Sequence, residues 1–529
     1  MGGPRGSFDH IVVGAGPAGC ATATRLALAQ PQASVLLVET GPAQSGLRSD
    51  VPLGITTLVP FRNARNYSYR TVPQSGLDGR RGVQPRGRGL GGSSLINAMI
   101  YVRGQREDYD DWARLGASGW AWCDVLPYFL RGEDNARGAD AWHTTGGPLA
   151  VSDLASPSDC ARAFVDAAVQ CGHPRNTDFN GASQEGVGLY QVFQRHGQRW
   201  NAARAYLATL APKNLTVLAD TPVARVLVEA GRARGIAGVN GHVYAARGEV
   251  VLCAGAFGTP QLLMLSGIGP AGHLRELGIP VLRDSTEVGA NLQEHVDFVI
   301  SRKVNDRSLL GTVPSIVPQV LRAIAPYRRG TGLLTSNVAE AGGFLRTRAD
   351  LERPDVQLHL CIGIVDNHSR RLHATRGLSL HTCVLRPHSR GSVQLGSTDV
   401  RKPPRIDPAF LTDARDMETL LAGTALARRI LAAPAFARYA GPALYDAETD
   451  DEARLRTIVR AHADTIYHPV GTCRMGSDAA SVVDPELRVR GIDGLRVADA
   501  SIMPTLISGN TQAACAMIGE RAAEFIARG

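Results

Sequence analysis

The stretch that decides the fold is residues 8–39, FDHIVVGAGPAGCATATRLALAQPQASVLLVE. His10 to Val13 is a short apolar run rich in β-branched side chains, the texture of a buried strand. Gly14-Ala15-Gly16-Pro17-Ala18-Gly19 follows as G-x-G-x-x-G, and Ala21, Ala23, Leu26 and Ala27 continue with helical spacing. Val35 to Val38 reads as a second buried strand that stops at Glu39. Each part has a task in a dinucleotide site. Gly14 permits the tight turn, Gly16 lets backbone approach a pyrophosphate, and Gly19 lets helix pack on strand. The helix N-terminus offers free N–H groups to the phosphates. Glu39, at the end of the second strand, is placed to accept hydrogen bonds from ribose hydroxyls. A lone G-x-G-x-x-G could be a glycine-rich turn that binds nothing; strand, helix, second strand and terminal acid in this order predict a dinucleotide site.

Moving outward, a loop-rich region runs to about Pro85. Gly87-Arg88-Gly89-Leu90-Gly91-Gly92-Ser93-Ser94-Leu95-Ile96-Asn97 then leads into the apolar run 98–102, which predicts a second loop-to-helix turn facing the same pyrophosphate. Residues 105–150, with Trp112, Trp120, Trp122 and Trp142, read as helices and turns of a cap around an aromatic core. A helix is predicted from Asp159 to Cys171, and strands at 215–218, 224–229 and 233–239. Glu249 to Gly255 is a further buried strand ending in glycine, followed by a helix from Ala256 to Leu265; such a strand end returns the chain to the nucleotide crevice. From about Val296 to Ala463 the texture changes. Period-two runs at 356–360, 378–385 and 392–395 predict an antiparallel sheet half-covered by other structure, with an amphipathic helix from Met417 to Leu431. The last segment returns to nucleotide-fold texture, with a strand at 495–499 and a helix after Ser508-Gly509-Asn510-Thr511. Asn510 or Thr511 is its expected N-cap.

The 529 residues exceed what one small core accommodates and predict two or three domains. The 58 glycines are above the ~7% norm, which fits many loops where backbone approaches a ligand. The net charge is +8, but only Lys213, Lys303 and Lys402 are lysines and the arginines are scattered. A nucleic-acid face needs a basic patch or stripe, so no nucleic-acid partner is expected; weak peripheral attraction to an anionic membrane surface is compatible with the charge. Nine cysteines, odd in number and without C-x-x-C, read as buried thiols of a reducing compartment. No uncharged run reaches the ~18 residues of a membrane span. The first strand starts at about residue 9, leaving no room for a signal peptide. These features predict a cytoplasmic protein, with the inner-membrane surface as a peripheral contact. His359, His368, His373, His381 and His388 match no standard metal spacing, and no metal is expected. His462 and His295 read as structural.

Four blocks together carry a family resemblance: GAGPAG with Glu39; GRGLGGSSLIN at 87–97; GAFGTPQLLMLSGIGP at 255–270; and the C-terminal pair YHPVGTCRMG at 467–476 and VADASIMPTLISGNTQAACAMIGERAA at 497–523. The chain resembles the glucose–methanol–choline oxidoreductases over essentially its whole length, in particular the bacterial choline-dehydrogenase-like and alcohol-dehydrogenase branch. The resemblance implies an α/β fold: a Rossmann-like FAD-binding domain discontinuous in sequence (1–155, 215–295 and 464–529) and a second, α+β substrate domain on an antiparallel sheet (156–214 and 296–463). It implies FAD contacts at Gly14, Ala15, Gly16, Pro17, Ala18, Gly19, Glu39, Arg88, Gly91, Gly92, Ser94, Asn97, Val223, Ala254, Gly255, Asp499, Ala500, Asn510 and Thr511. Some members attach FAD covalently to a histidine just before the asparagine of the glycine block. Here that position is Ile96, which has no nucleophile, so non-covalent FAD is expected.

By matching motif positions, His468 resembles the family's catalytic histidine and Asn510 its partner. The implied reaction moves a hydride from a carbinol carbon to flavin N5 and a proton from the hydroxyl, so a base must stand within hydrogen-bond reach of that hydroxyl. Histidine, with an unperturbed pKa of ~6.5, suits neutral pH. Asn510 cannot take the proton, but its amide can orient the alcohol oxygen. The expected function is oxidation of a primary alcohol to the aldehyde, with electrons passed to a quinone or other carrier. An oxidase that reduces O2 shares every motif. A choline dehydrogenase is the second alternative, since Asp297 stands where choline-oxidising relatives carry a carboxylate facing the trimethylammonium. Aromatic faces, which such a cation prefers, make up only 5% of the chain, and uncharged alcohols are favoured. A hydroxynitrile-type lyase, or a flavin-binding protein without catalysis, are further readings; His468 and Asn510 standing together argue against the last.

Overall fold

The structure is a computed structural model and describes residues 5–528. The strands of its two main sheets are, in chain order, β1 (Gly6–Val13), β2 (Val35–Val38), β3 (Gly186–Leu189), β4 (Leu215–Leu218), β5 (Val223–Glu229), β6 (Arg232–Gly238), β7 (Val243–Leu252), β8 (Val296–Lys303), β9 (Ala339–Leu345), β10 (Val356–Cys361), β11 (Gly377–Val384), β12 (Asp464–Thr465) and β13 (Leu495–Val497). The helices that matter here are α1 (Pro17–Ala29), α2 (Arg106–Arg114), α3 (Trp122–Gly132), α4 (Asp159–Gln170), α5 (Gly255–Leu265), α6 (Ala414–Ala432), α7 (Glu452–His462) and α8 (Gln512–Ala527).

The first sheet runs β4-β2-β1-β7-β6-β5, with β13 paired to the other half of β7. Strands β4, β2, β1, β7 and β13 are parallel, and β6 and β5 extend the sheet antiparallel. Helices on both faces keep the parallel strands out of water, which is why β2 is apolar at every residue and buried throughout. The C-terminal ends of β1, β2, β7 and β13 point the same way, and Val13, Val38, Cys253 and Asp499 meet there at the rim of a cavity. Trp112 and Trp120 are wholly buried, as an aromatic core requires, but they pack into the core of this sheet beside Phe525 of α8. The segment 105–132 is therefore part of the nucleotide-binding side and not a cap.

The second sheet runs β12-β8-β11-β10-β9-β3 and is antiparallel throughout. It was expected to be half-covered, yet β9, β10 and β11 are buried at every residue. Helix α6 packs on one face, where Gly423 lies against Thr382 and Val356, and the other face looks into the cavity. Asp464–Thr465, placed by sequence with the C-terminal nucleotide segment, instead pairs with Val296 and Asp297 as the edge of this sheet. The run 98–102 is extended rather than helical. Its amides bond across the chain, Tyr101 N–H to the Gln191 carbonyl and Ile100 in a bridge with Val192, and only Gly92–Leu95 forms a helical turn.

Candidate active site

A cavity of about 980 Å³ extends from the ends of β1 and β2 to the face of the second sheet. Gly14, Gly16, Pro17, Ala18, Glu39, Arg88, Gly92, Ser94, Asn97, Val223, Ala254, Gly255, Asp499, Ala500, Asn510 and Thr511 border it, as do Ile96 and His468. Ala15, Gly19 and Gly91 stand behind that surface. Ala15 N–H donates to Glu39 Oε2 at 3.0 Å, and Gly91 N–H to the Ala15 carbonyl at 2.8 Å. A Cβ on Gly19 would fall 1.8 Å from the Gly14 carbonyl oxygen, so glycine there is a packing requirement. Gly16 is different: a Cβ on it would meet no protein atom within 4 Å. What needs the space beside Gly16 is not protein.

Glu39 does more than wait for a ribose. Its carboxylate accepts from the amides of Ala15, Gly41 and Gly89, at 3.0, 2.8 and 3.1 Å, and so ties the first glycine turn to the 87–97 block. A carboxylate has about four lone-pair sites, which leaves acceptor capacity toward the cavity. Burial pushes this carboxyl up, against the three amides that favour its charge. Arg88 donates to the Thr40 and Ala64 carbonyls and lies over the Tyr67 ring. Helices α1, α5 and α8 begin at the cavity with Gly16, Ala254 and Thr511 as N-caps, none of which caps through its own side chain, but the Gly255 N–H that opens α5 is already taken by Asp499 Oδ2 at 2.8 Å. Thr511 thus takes the N-cap position expected of it or of Asn510 without capping. Uncapped first-turn amides are ready anion donors. Buried Arg199 donates to the Ser94 and Asn97 carbonyls and to Asn97 Oδ1, and Asn97 Nδ2 donates to Gln512 Oε1 of α8, fixing the glycine block against the C-terminal helix.

At the other end, His468 is held between two hydrogen-bond chains, and each settles where its proton lies. From one side, His295 Nε2 is 3.0 Å from the Leu385 carbonyl, which can only accept. His295 therefore carries its proton on Nε2, and its bare Nδ1 accepts from His468 Nδ1–H at 3.0 Å. From the other side, Tyr190 O–H donates to the Leu358 carbonyl at 2.6 Å and must accept from Gln357 Nε2. The same Gln357 amide donates to Asn510 Oδ1 at 3.0 Å, so Asn510 turns its Nδ2 to His468 Nε2 at 3.2 Å. Both chains leave His468 Nε2 without a proton, its lone pair accepting from Asn510 Nδ2 at the border of the cavity. Burial, then the His295 and His359 rings and Arg86, hold His468 well below its ordinary pKa, so the ring is neutral. Burial likewise pushes His295 and His359 down to about 3.

The backbone at His468 is over-determined. Tyr467, just before His468, has φ +78°, a strained value for a bulky residue. Thr465 Oγ1 accepts its N–H, Arg86 donates to its carbonyl, and Glu294 Oε1 accepts the His468 N–H at 2.6 Å. Burial pushes Glu294 up to about 8, against the pull of Arg86.

Family models of GMC oxidoreductase match residues 8–297 and 387–519. The chain is a GMC oxidoreductase. It is 43% identical over 98% of its length to alcohol dehydrogenase (acceptor) of Pseudomonas putida, spanning 96% of that protein. It is 39% identical to an oxygen-dependent choline dehydrogenase of Sinorhizobium fredii, over 98% of this chain and 95% of that one. Among solved structures, pyridoxine 4-oxidase from Mesorbium loti superposes with a TM-score of 0.87 at 32% identity, covering 98% of both chains. This GMC oxidoreductase therefore uses FAD and oxidises alcohols. The cavity fits FAD on its own chemistry: the room beside Gly16, the uncapped N-termini of α1 and α8 and the Glu39 carboxylate are matched to a dinucleotide, and His468 and Asn510 stand at the opposite end.

His468 and Asn510, 42 residues apart, are brought together as expected. Sequence reading missed Gln357, which aims Asn510, and Arg199 and Arg86. It took His295 as structural, whereas the ring touches His468 directly. Among the histidines weighed and dismissed as metal ligands, His359, His368 and His381 border the cavity, while His373 pairs with Asp366 and the His388 amide with Asp416. Period-two spacing in VQLHLC already put Gln357, His359 and Cys361 on one face of β10.

Proposed function

We propose that this GMC oxidoreductase oxidises a primary alcohol to the aldehyde, with His468 as the base, Asn510 as the orienting amide and a quinone or other carrier as acceptor. The observation that supports it is the bare Nε2 of a neutral His468 on the cavity side, fixed from both ends. An alcohol hydroxyl placed there donates to Nε2, and its proton passes to the ring as the C–H bond breaks. The imidazolium so formed keeps its Nδ1–H bond to His295. Asn510 Nδ2, released from Nε2 by the hydroxyl, faces the alcohol oxygen and holds the carbinol carbon in place. Bound FAD supplies the hydride acceptor. FAD is held without a covalent bond in this reading, because Ile96 offers no nucleophile at the glycine block. Gly14, Gly16, Pro17, Ala18, Glu39, the cavity-facing residues of the 87–97 block and the segments around Val223, Gly255 and Asp499 are its binding surface, with Ala15, Gly19 and Gly91 shaping it from behind.

We place the protein in the cytoplasm. Its nine cysteines are all free, and six of them are buried, as suits a reducing compartment. No helix among the described residues is long and apolar enough to cross a membrane. The acceptor would then be met at the membrane surface. The Pseudomonas relative, named for an unspecified acceptor, supports a carrier over O2.

The test is anaerobic mixing of the holoenzyme with primary alcohols while the flavin absorbance is followed. Bleaching is expected, and re-oxidation by a quinone faster than by air. His468→Ala should keep its flavin and slow bleaching by about 10² to 10⁴, the usual range for a general base. Asn510→Ala should cost less, since the base remains. Bleaching by His468→Ala at the wild-type rate, with Asn510→Ala inactive, would reverse the two roles; no bleaching by any alcohol would remove the reading.

A further inference from the structure

On the cavity face of the second sheet, His359 of β10 and His381 of β11 stand opposite each other in register. The catalytic chains above use neither. His381 Nδ1 lies 2.7 Å from Asp297 Oδ2, and both side chains are about 95% buried. Asp297 comes from β8, where Cys383 rather than His381 is its direct partner, so the two meet on the diagonal. Burial disfavours a charge on His381, but the Asp297 carboxylate, and after it Cys361, override it and hold the ring up to about 10. The ring is an imidazolium with two N–H groups. One is spent on Asp297. The other, on Nε2, is buried at the border of the cavity, with only the sulfur of Cys361, a weak acceptor, beside it.

A buried charged donor with so weak an acceptor is costly, and such a group in a binding cavity calls for a ligand that completes it. Resting on the alcohol-oxidising reading, we propose that His381 determines specificity: the substrate is an alcohol whose far end carries an anionic oxygen, a carboxylate or phenolate, that accepts from His381 Nε2–H. Asp297 does not serve a cationic substrate. Its Oδ2 is already paired with His381, and it is the imidazole ring, not the carboxylate, that borders the cavity. A quaternary ammonium would meet a like charge there, which sets this site apart from one built for choline.

The test compares rates of anaerobic flavin reduction in the holoenzyme. ω-Hydroxycarboxylates of graded length and 4-(hydroxymethyl)benzoate supply a carboxylate. 4-Hydroxy-3-nitrobenzyl alcohol at mildly alkaline pH supplies a phenolate. Alkanols and 4-methylbenzyl alcohol of matching shape are the neutral controls, and choline is the cation. At least one anionic alcohol should outrun its neutral counterpart by about 10- to 100-fold, the range of a hydrogen bond to a charged group, and choline should be slowest. His381→Gln, whose amide still donates to Asp297, and Asp297→Asn, which discharges His381, should each collapse that ratio toward unity. Neutral alcohols matching every anionic one in the wild type would overturn the proposal without needing either variant. So would a preference that survives both substitutions. Bleaching by the neutral controls in the same experiment keeps the alcohol-oxidising reading separate.

Discussion

Replacing His295 should disable the base without touching it. In His295→Phe the acceptor for His468 Nδ1–H disappears, and the ring that stood at 3.0 Å becomes an apolar wall. The buried Nδ1–H is left unsatisfied, at about 1–3 kcal/mol. The ring escapes that penalty by moving its proton to Nε2 or by turning away, and either change removes the lone pair that receives the alcohol. The penalty sets the scale: anaerobic flavin reduction should slow by about 5- to 150-fold. The loss should fall on the limiting reduction rate and leave substrate affinity nearly unchanged, because His295 does not border the cavity. His295→Asn is the control, since its Oδ1 comes near the position of the lost Nδ1 and can accept from His468; it should recover most of the rate. Circular dichroism and flavin content separate this from simple unfolding. His295→Phe reducing its flavin at the wild-type rate, or His295→Asn as slow as His295→Phe, would refute the tautomer argument.

Three further outcomes follow from residues around the cavity. The yellow pigment should be released into the supernatant on acid precipitation, as free FAD; pigment in the pellet would show a covalent bond made elsewhere than at Ile96. Stability should fall in acid, because His295 and His359 sit near 3 in the folded chain and near 6.5 once unfolded. The unfolded chain binds the extra protons, so each ring costs about 1.4 kcal/mol per pH unit below 6.5, until about pH 3. The melting temperature should drop steeply from pH 7 to 5, and His359→Gln should reduce that slope. Flavin reduction should meanwhile be flat from neutral to mildly alkaline pH, since His468 is deprotonated well below 6.5; a rise centred near 7 would contradict the burial of the base.

The nucleotide end was legible in sequence because backbone geometry dictates residue type there. Gly14 has φ +103° and Gly19 touches the Gly14 carbonyl, so few sequences satisfy both, and the flanking strands announce themselves as apolar runs. His468 and Asn510 were legible because each sits in a long motif. The surroundings of His468 were not. His295 lies 173 residues from it, and Asp297 lies 84 from His381, contacts that exist only through the pairing of β8 with β11 and β12. The burial that pushes His468 below its unperturbed pKa comes from the same long-range contacts. The apolar run at 98–102 misled as a helix because five residues cannot show whether their amides bond locally or, as here, to the segment 191–193.

The two ionisation states in the cavity come from one short stretch of chain. His295 and Asp297 are two residues apart, and side chains at that spacing on an extended segment share a face. The first offers His468 a neutral acceptor, itself pinned by the Leu385 carbonyl. The second offers His381 a carboxylate. The consequences are opposite: a ring as neighbour leaves His468 neutral and basic at Nε2, whereas a carboxylate as neighbour holds a proton on His381 and makes its Nε2 a donor. His359, directly across from His381 but without a carboxylate partner, stays neutral, which shows that the charge follows the Asp297 contact and not the strand or the depth of burial. On the roles proposed above, His295 and Asp297 set a proton acceptor for the hydroxyl on His468 and a proton donor for the rest of the substrate on His381, kept distinct by which neighbour each histidine meets.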